Sequence, residues 1–477
     1  MGDLEFYSGK LVYKEMEFNF VFDKCELRLI PLKAIAAVVY EEKENWQYIE
    51  APYLVGSCNE TETKIIFFCE QQGIGSYNNI LRIFVDAYIL YRFDCNEIDK
   101  ISFSSPEIDG IFPVGQAIAE QKWLEEGIVT VQTKKFSATT SEKQYFIVEG
   151  KDVTVHFGIA RTTNRKIGEP PIVLQSSMFF EFEPTSDYQF IFRLWRIAKT
   201  FIQYLCYRKN CYLPIVDVYG FDREKMHLKI ATLNVTDEWG KEEKRAIETK
   251  RYIQQKYISG FEGKILEDIG DNMLYTRHIP DTYLSGQTID EARFVMITAA
   301  FEWEFRRNYP EGIKKAESTI EIEQKITAEI DKLIDEAPSR KLKKKYKFLR
   351  KLVGANSLQA EIMQIGEDYS DLMDSFGKPL YLLNNVELKY PEMGERLANQ
   401  RNDFAHGNLD KDFNGTALLD LLYLSYLIYA MQLRAYGISD ENIKNAISGL
   451  FHYRVYSKLV DCLEKCLIYG HIRRFAD

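Results

Sequence analysis

The stretch Thr416-Ala-Leu-Leu-Asp-Leu-Leu-Tyr-Leu-Ser-Tyr-Leu-Ile-Tyr-Ala-Met-Gln-Leu433 decides between two kinds of protein. A helix of about 20 apolar residues crosses a bilayer, and this run comes close to that length. Asp420 interrupts it, and polar residues flank it on both sides. A carboxylate in hydrocarbon is costly, whereas a helix that is apolar all round belongs in the centre of a helical bundle or in a dimer seam. The run therefore predicts a buried central helix, and no membrane is needed.

Around that helix the pattern is helical from Thr288 onward. Apolar residues recur at helical spacing over 288–308, 318–337, 340–352, 357–375, 391–406, 412–436 and 440–470. Pro310, Pro338, Gly354, Gly377-Lys378-Pro379 and Gly407 fall where helices should stop. Upstream the period changes. Residues 1–185 hold short β-branched and aromatic runs at 11–13, 18–22, 64–68, 81–85, 127–132, 144–148, 153–159 and 178–182, punctuated by Gly, Asn, Ser and charge clusters. Such spacing suggests an antiparallel sandwich or curled sheet. Between the two regions, 187–208 reads as a helix, and 213–219 and 227–233 read as a strand pair turned at Gly220-Phe221-Asp222; 236–286 reads as a connector. The expected fold class is α+β: a β-rich, sandwich-like region over 1–185, a helix, strand pair and connector over 186–286, and an all-α bundle over 287–477.

At 477 residues the chain exceeds one ordinary core. With 46% hydrophobic residues and 13 prolines, disorder is not the default. The net charge of −10 excludes a protein that coats nucleic acid over its whole surface, yet leaves room for a local basic site. None of the eight cysteines stands in a Cys-x-x-Cys pair; Cys462 and Cys466, four apart, lack a second pair to complete a zinc site. Gly73-x-Gly75 has no third glycine and no helix pattern after it, which argues against a phosphate loop. No basic segment leads into an apolar run at the N-terminus, so the expected location is cytoplasmic. No cofactor and no metal are expected.

Of six histidines, only His406 follows an arginine with four to six residues between them. On a helical wheel, Met393, Leu397, Ala398, Phe404 and Ala405 form one apolar arc, and Arg401 falls inside it. A guanidinium aimed into a packing seam loses hydration and needs a carboxylate or a phosphate there. Asn402 and His406 are four apart and stack on neighbouring turns. Gly407 is placed to stop the helix, leaving His406 in a last turn whose carbonyls favour its protonated form. An imidazole titrating near neutrality serves as base or acid. Arg401 and His406 lie about 140° apart on an ideal helix, so they meet only if the turn opens or a second subunit supplies half the site. In the structural alternative, Arg401 pairs with Asp403 or with a carboxylate of another helix, and His406 merely caps the turn.

Arg401-Asn402-Asp403-Phe404-Ala405-His406-Gly407, near the end of an all-helical region, resembles the Arg-x4–6-His signature of HEPN domains. A polar residue after the arginine is typical of that family, and Asn402 supplies it. A β-rich half followed by such a bundle resembles ApeA-like proteins of bacterial anti-phage defence, as does the helix Phe294-Val-Met-Ile-Thr-Ala-Ala-Phe-Glu-Trp-Glu-Phe-Arg-Arg307. The resemblance implies a homodimer with two motif helices facing a cleft, and metal-independent cleavage of RNA, tRNA foremost, leaving a 2′,3′-cyclic phosphate. It implies that His406 moves the proton of the 2′-hydroxyl or of the leaving oxygen, that Arg401 stabilises the phosphorane, and that Asn402 orients the phosphate or the imidazole. DNA, lacking the internal nucleophile, would resist. The β-rich half would then sense a trigger, such as a phage protein.

Glu302 and Glu304, on the first helix of the bundle, are candidate partners for Arg401, with Asp403 beside it; residues of this kind are more often plain surface charges. The run Arg340, Lys341, Lys343, Lys344, Lys345, Lys347, Arg350 and Lys351 is dense enough to hold RNA phosphates. It is also readable as a solvated face paired with the acidic helix before it.

Overall fold

The computed structural model describes residues 6–32, 47–77, 80–93, 95, 97–123, 129–236, 244–405, 412, 413 and 415–451. The chain forms two compact units: one runs to Leu274 and adds Ile279–Gly286, the other comprises Tyr275–His278 and the residues from Gln287 onward. The boundary expected at residue 186 falls inside the first unit.

The first unit holds strands β1 (Phe6–Tyr13), β2 (Met16–Asp23), β3 (Glu26–Pro31), β4 (Leu54–Cys58), β5 (Thr63–Phe68), β6 (Ile74–Tyr77), β7 (Ile80–Phe84), β8 (Ala87–Tyr91), β9 (Ile98–Phe103), β10 (Ile118–Trp123), β11 (Val129–Thr133), β12 (Gln144–Val148), β13 (Lys151–Thr163), β14 (Ile172–Thr185), β15 (Ile215–Phe221) and β16 (His227–Val235). All but β10 and β11 join one antiparallel sheet in the order β12-β13-β14-β9-β15-β16-β8-β5-β4-β1-β2-β3-β7-β6. The strand pair expected in a connector therefore sits in the middle of the sheet, bonded to β9 on one side and β8 on the other. Its turn lies later than expected, at Asp222–Met226, because the Asp222 carboxylate accepts from the amides of Glu224 and Met226 at 2.9 and 2.8 Å. Gly73 bridges Tyr48 at the start of β6, which gives the Gly73-x-Gly75 stretch a strand role.

Strict alternation explains the core of this half. In β2 the residues Phe18, Phe20 and Phe22 are buried and meet Leu11, Leu27, Leu54, Phe67 and Ile83 from five neighbouring strands in one cluster. Period two places every second side chain on one face, so strands across the sheet converge on a shared interior. In β5 the opposite face is buried as well: Phe68 stacks on Phe192, ring centroids 4.7 Å apart. Phe192 belongs to α2 (Tyr188–Cys206), capped by Asp187, whose side chain accepts from the Phe190 amide at 3.1 Å. Among the described residues this unit also holds the shorter helices α1 (Pro106–Ile111), α3 (Lys244–Glu248) and α4 (Glu262–Gly270).

The second unit is helical: α5 (Glu291–Asn308), α6 (Glu317–Asp335), α7 (Arg340–Leu352), α8 (Leu358–Asp368), α9 (Ser370–Leu383), α10 (Tyr390–Ala405), α11 (Ala417–Ala435) and α12 (Asp440–Phe451). The apolar run becomes α11, with Leu421, Leu424, Leu427, Ile428 and Met431 fully buried. Among the described residues no helix is long and apolar enough to cross a membrane. Asp420, the residue that breaks the run, is fully buried and ion-paired at 2.7 Å with Arg396 of α10, while the Tyr381 hydroxyl donates to it at 2.6 Å.

One helix differs from expectation. Residues 357–383 form two helices meeting at Tyr369, and the second passes through Gly377-Lys378-Pro379 where a stop was expected. Packing outweighs propensity here: a Cβ on Gly377 would lie 2.5 Å from Leu388 and 2.7 Å from the Tyr423 ring. The glycine thus lets α9 approach its neighbours closely, and the lost proline amide is tolerated within that contact. The last expected helix, 440–470, is described only to Phe451; Cys462 and Cys466 lie outside the described residues.

Candidate active site

Met393, Gly394, Leu397 and Gln400 form the buried side of α10, and Arg401 and Phe404 continue it half-buried. This side packs against α5 and α8. Gly394 makes the approach to α8 possible, since a Cβ there would lie 2.9 Å from the Gln359 backbone. Phe404 fixes the end of the helix by packing edge-on against Phe294 of α5 and Phe413, with centroids 5.4 and 4.8 Å away. Ala405, expected in the apolar arc, is exposed, because the arc turns toward Gln400 and Arg401.

Arg401 therefore does point into a seam, and the seam offers a carboxylate. Its Nη2 donates to Glu302 Oε2 of α5 at 3.0 Å. The pair is not sealed: the side chains keep 35% and 19% of their accessible surface. Behind it sits Glu361 of α8, only 6% exposed, with Oε2 lacking a hydrogen-bond partner among the described residues. Burial first, then repulsion by Glu302, pushes its carboxyl up to about 7, against the opposing pull of Arg306 and Arg401. Arg306 stands one turn after Glu302 on α5 and is exposed.

Three helices thus gather two guanidiniums and two carboxyls, one of which holds its proton to about neutral pH. Below that pH the cluster carries a net positive charge, an arrangement suited to an anion. Among the described residues no group of three or more His, Cys, Asp or Glu could hold a metal ion.

The other expected residues divide clearly. Asn402 is exposed on the outer side of α10, and Asp403 is half-buried. Glu304 does not join Arg401: it is fully buried, accepts from Gln432 Nε2 of α11 at 2.9 Å and lies 3.7 Å from Arg307. All eight cations of α7 are exposed, and Arg350 alone has an ion-pair partner among the described residues, Asp331 of α6. His406 and Gly407 lie outside the described residues. Of the described histidines, His156 is buried against Phe179 and driven down to about 4 by burial, His227 bonds Asp99 at 2.9 Å, and His278 is buried beside Tyr429.

Glu361 and Arg306 escaped the sequence reading. A signal existed for the first: Leu358, Glu361, Ile362 and Ile365 share helical core spacing, which places a carboxyl where apolar residues belong. In the first unit, a polar groove of about 650 Å³ lies between the sheet and α2, lined by Glu70, Asp86, Glu149, Arg193, Arg196 and others. Arg193 is already paired with Glu149, and Arg196 stacks over Phe192. Against this geometry, comparison with family models, curated proteins and solved structures found no match for the chain.

Proposed function

We propose that the chain is a metal-independent endoribonuclease of the HEPN type, acting in the cytoplasm on host RNA, tRNA foremost, in anti-phage abortive infection. One observation carries this reading: Arg401 sits half-exposed in the last described turn of α10, bonded to Glu302 alone and beside the buried Glu361 carboxyl, whose titration is raised to about 7 by burial. While Glu361 holds its proton, below about pH 7, the charge of Arg401 and Arg306 exceeds that of Glu302. That excess is available to a phosphodiester.

The chemistry follows from the substrate. A base takes the proton of the 2′-hydroxyl, the oxygen attacks phosphorus, and the 5′-oxygen leaves with a proton, producing a 2′,3′-cyclic phosphate. Arg401 would offset the charge that builds on the phosphorane oxygens. His406, beyond the described end of α10, would carry the proton. Asn402 would orient the phosphate from the exposed side of the same turn. In a homodimer the α10 helices of two copies would face a common cleft, and the first unit would gate activity in response to a trigger.

Total tRNA incubated with the protein in EDTA tests the reading. Wild type should yield fragments ending in cyclic phosphate and leave DNA intact, while Arg401→Ala and His406→Ala should lose activity by 100-fold or more. Either variant cutting as fast as wild type sinks the proposal.

The Arg401–Glu302 contact also favours a second reading, a non-catalytic HEPN module that dimerises and binds RNA or nucleotide through the same cluster. Intact RNA together with binding lost in Arg401→Ala would select it.

A further inference from the structure

The hairpin of α6 and α7 is the least covered part of the second unit. The two helices pack chiefly on each other. Only Ile334 of α6 is buried, and no residue of α7 is. Lys315 ties the open ends together, bonding Glu323 at 2.7 Å and the Gly354 carbonyl at 3.0 Å. The Ser339 hydroxyl caps α7 at the turn, accepting from the Leu342 amide at 3.3 Å.

Large apolar side chains stand in solvent on both helices: Ile322, Ile326 and Leu333 on α6, and Phe348, Leu349 and Leu352 on α7, each 43–59% exposed. At 100° per residue, Ile322, Ile326 and Leu333 fall within about 40° of one another, and Phe348 and Leu352 within about 40°. The stripe lies about 80° from Ile330 and Ile334, the most covered apolar side of α6, and about 120° from Leu342 and Tyr346, the most covered apolar side of α7, in the same rotational sense on each helix. Because the helices are antiparallel, rotations in the same sense bring both stripes to the same side of the hairpin. The result is one apolar face spanning two helices, an exposure that monomeric surfaces seldom carry.

Charge says what covers it. Over its length α6 carries six carboxylates and two lysines, whereas α7 carries eight cations and no carboxylate. Arg340 and the six lysines of α7 have no ion-pair partner among the described residues, so the hairpin does not neutralise itself. A groove on α7 is lined by Lys341, Leu342, Lys344, Lys345 and Phe348. The stripe of α6 is bordered by Glu336 and by Glu329, which bonds Lys332 of the same helix at 2.7 Å, and with six carboxylates against two lysines α6 as a whole is the charge complement of α7.

We propose that this face docks a second copy of the same hairpin, with α6 of each copy lying antiparallel on α7 of the other in a four-helix bundle. A two-fold axis makes both contacts at once, acidic on basic and basic on acidic, while the apolar stripes close the centre as in other bundles. An RNA would meet the lysines but leave Ile322, Ile326 and Leu333 in water, which is why the basic run is assigned to self-association. This hairpin, and not the α10 pairing of the ribonuclease reading, is then the contact that holds two copies together; a dimer held by α10 would survive charge reversal on α7.

The test is the oligomeric state of the full chain, measured by light scattering on a sizing column at tens of micromolar. Wild type should run as a dimer. Lys344→Glu with Lys345→Glu, and separately Glu329→Lys with Glu336→Lys, should each run as a monomer with unchanged helical signal. Mixed in equal amounts, the two variants should restore the dimer, since every α6–α7 contact is again between opposite charges. A monomeric wild type overturns the proposal. So does a Lys344→Glu, Lys345→Glu protein that remains dimeric, including one that has lost only its binding to total tRNA in a gel-shift assay.

Discussion

Two arginines five residues apart on α10 meet carboxylates in different ways. Arg396 makes two bonds to Asp420, from Nε at 2.7 Å and Nη2 at 2.8 Å, and Asp420 is fully buried and further held by Tyr381. Arg401 makes one bond to Glu302, which stays partly in water. A two-point contact to a buried carboxylate is fixed in geometry and dear to break. A single contact near solvent contributes roughly 0.2–1 kcal/mol and can be exchanged for another anion. The first arginine therefore locks α10 onto α11; the second is free to change partners. On the proposed reading, their difference separates a folding role from a ligand-binding one within a single helix.

The largest expected effect tests the locked pair. Asp420→Ala strands Arg396 and the buried Tyr381 hydroxyl and should lower stability by about 3–5 kcal/mol. Urea denaturation of wild type and variant measures it. A loss below about 1 kcal/mol would mean that Arg396 finds other partners and that the contrast with Arg401 is empty.

Arg401→Ala should behave in the opposite sense. Its stability should stay within about 1 kcal/mol of wild type, while RNA cleavage or binding falls by 100-fold or more. A variant that unfolds like Asp420→Ala places Arg401 among the structural residues instead.

How much of this was legible in the sequence depends on the range over which each force acts. Local periodicity reported α5, α7 and α11 closely, and the aromatic alternation of β2 likewise, because burial on one face writes itself into neighbouring residues; of β13 it reported only the buried stretch 153–159 within Lys151–Thr163. The place of β15 and β16 was not legible. Their partners β9 and β8 lie more than 100 residues away, and register with them leaves no local trace. Asp420 was visible as an interruption of an apolar run, but its partner Arg396 was not. The cluster around Arg401 was half legible: Glu302 stood out on the first helix of the bundle, 99 residues before Arg401, whereas Glu361 looked like any helical glutamate until α8 buried it. The run through Gly377-Lys378-Pro379 was misread because tight packing against Leu388 and Tyr423 overrides a local helix-stop signal.

Glu361→Gln sharpens the comparison through pH. The folded carboxyl titrates at about 7 against an ordinary 4.5. A raised acid holds its proton more tightly when folded, so its ionisation opposes folding. The penalty is absent below about pH 4.5, grows between 4.5 and 7, and is complete above 7. Glutamine cannot ionise, so the variant should match wild type at pH 4.5 and exceed it by roughly 1–3 kcal/mol at pH 8. Melting temperatures across that range decide it, and parallel curves for the two proteins would show that Glu361 is not strained by burial.

The smallest effect is also the most discriminating. Glu302→Gln keeps the shape of the Arg401 contact and removes its charge, so the stability change should be only about 0.2–1 kcal/mol. The two readings of Arg401 then diverge in binding. If Arg401 exchanges Glu302 for a phosphate, the variant frees a competing anion from the site. Affinity for tRNA should then rise and fall off more steeply with salt, because one more cation is available to displace counterions. The same removal takes a repelling charge from Glu361, which should titrate closer to its ordinary range. Unchanged affinity and salt slope would place Arg401 alongside Arg396, as a second clasp between helices.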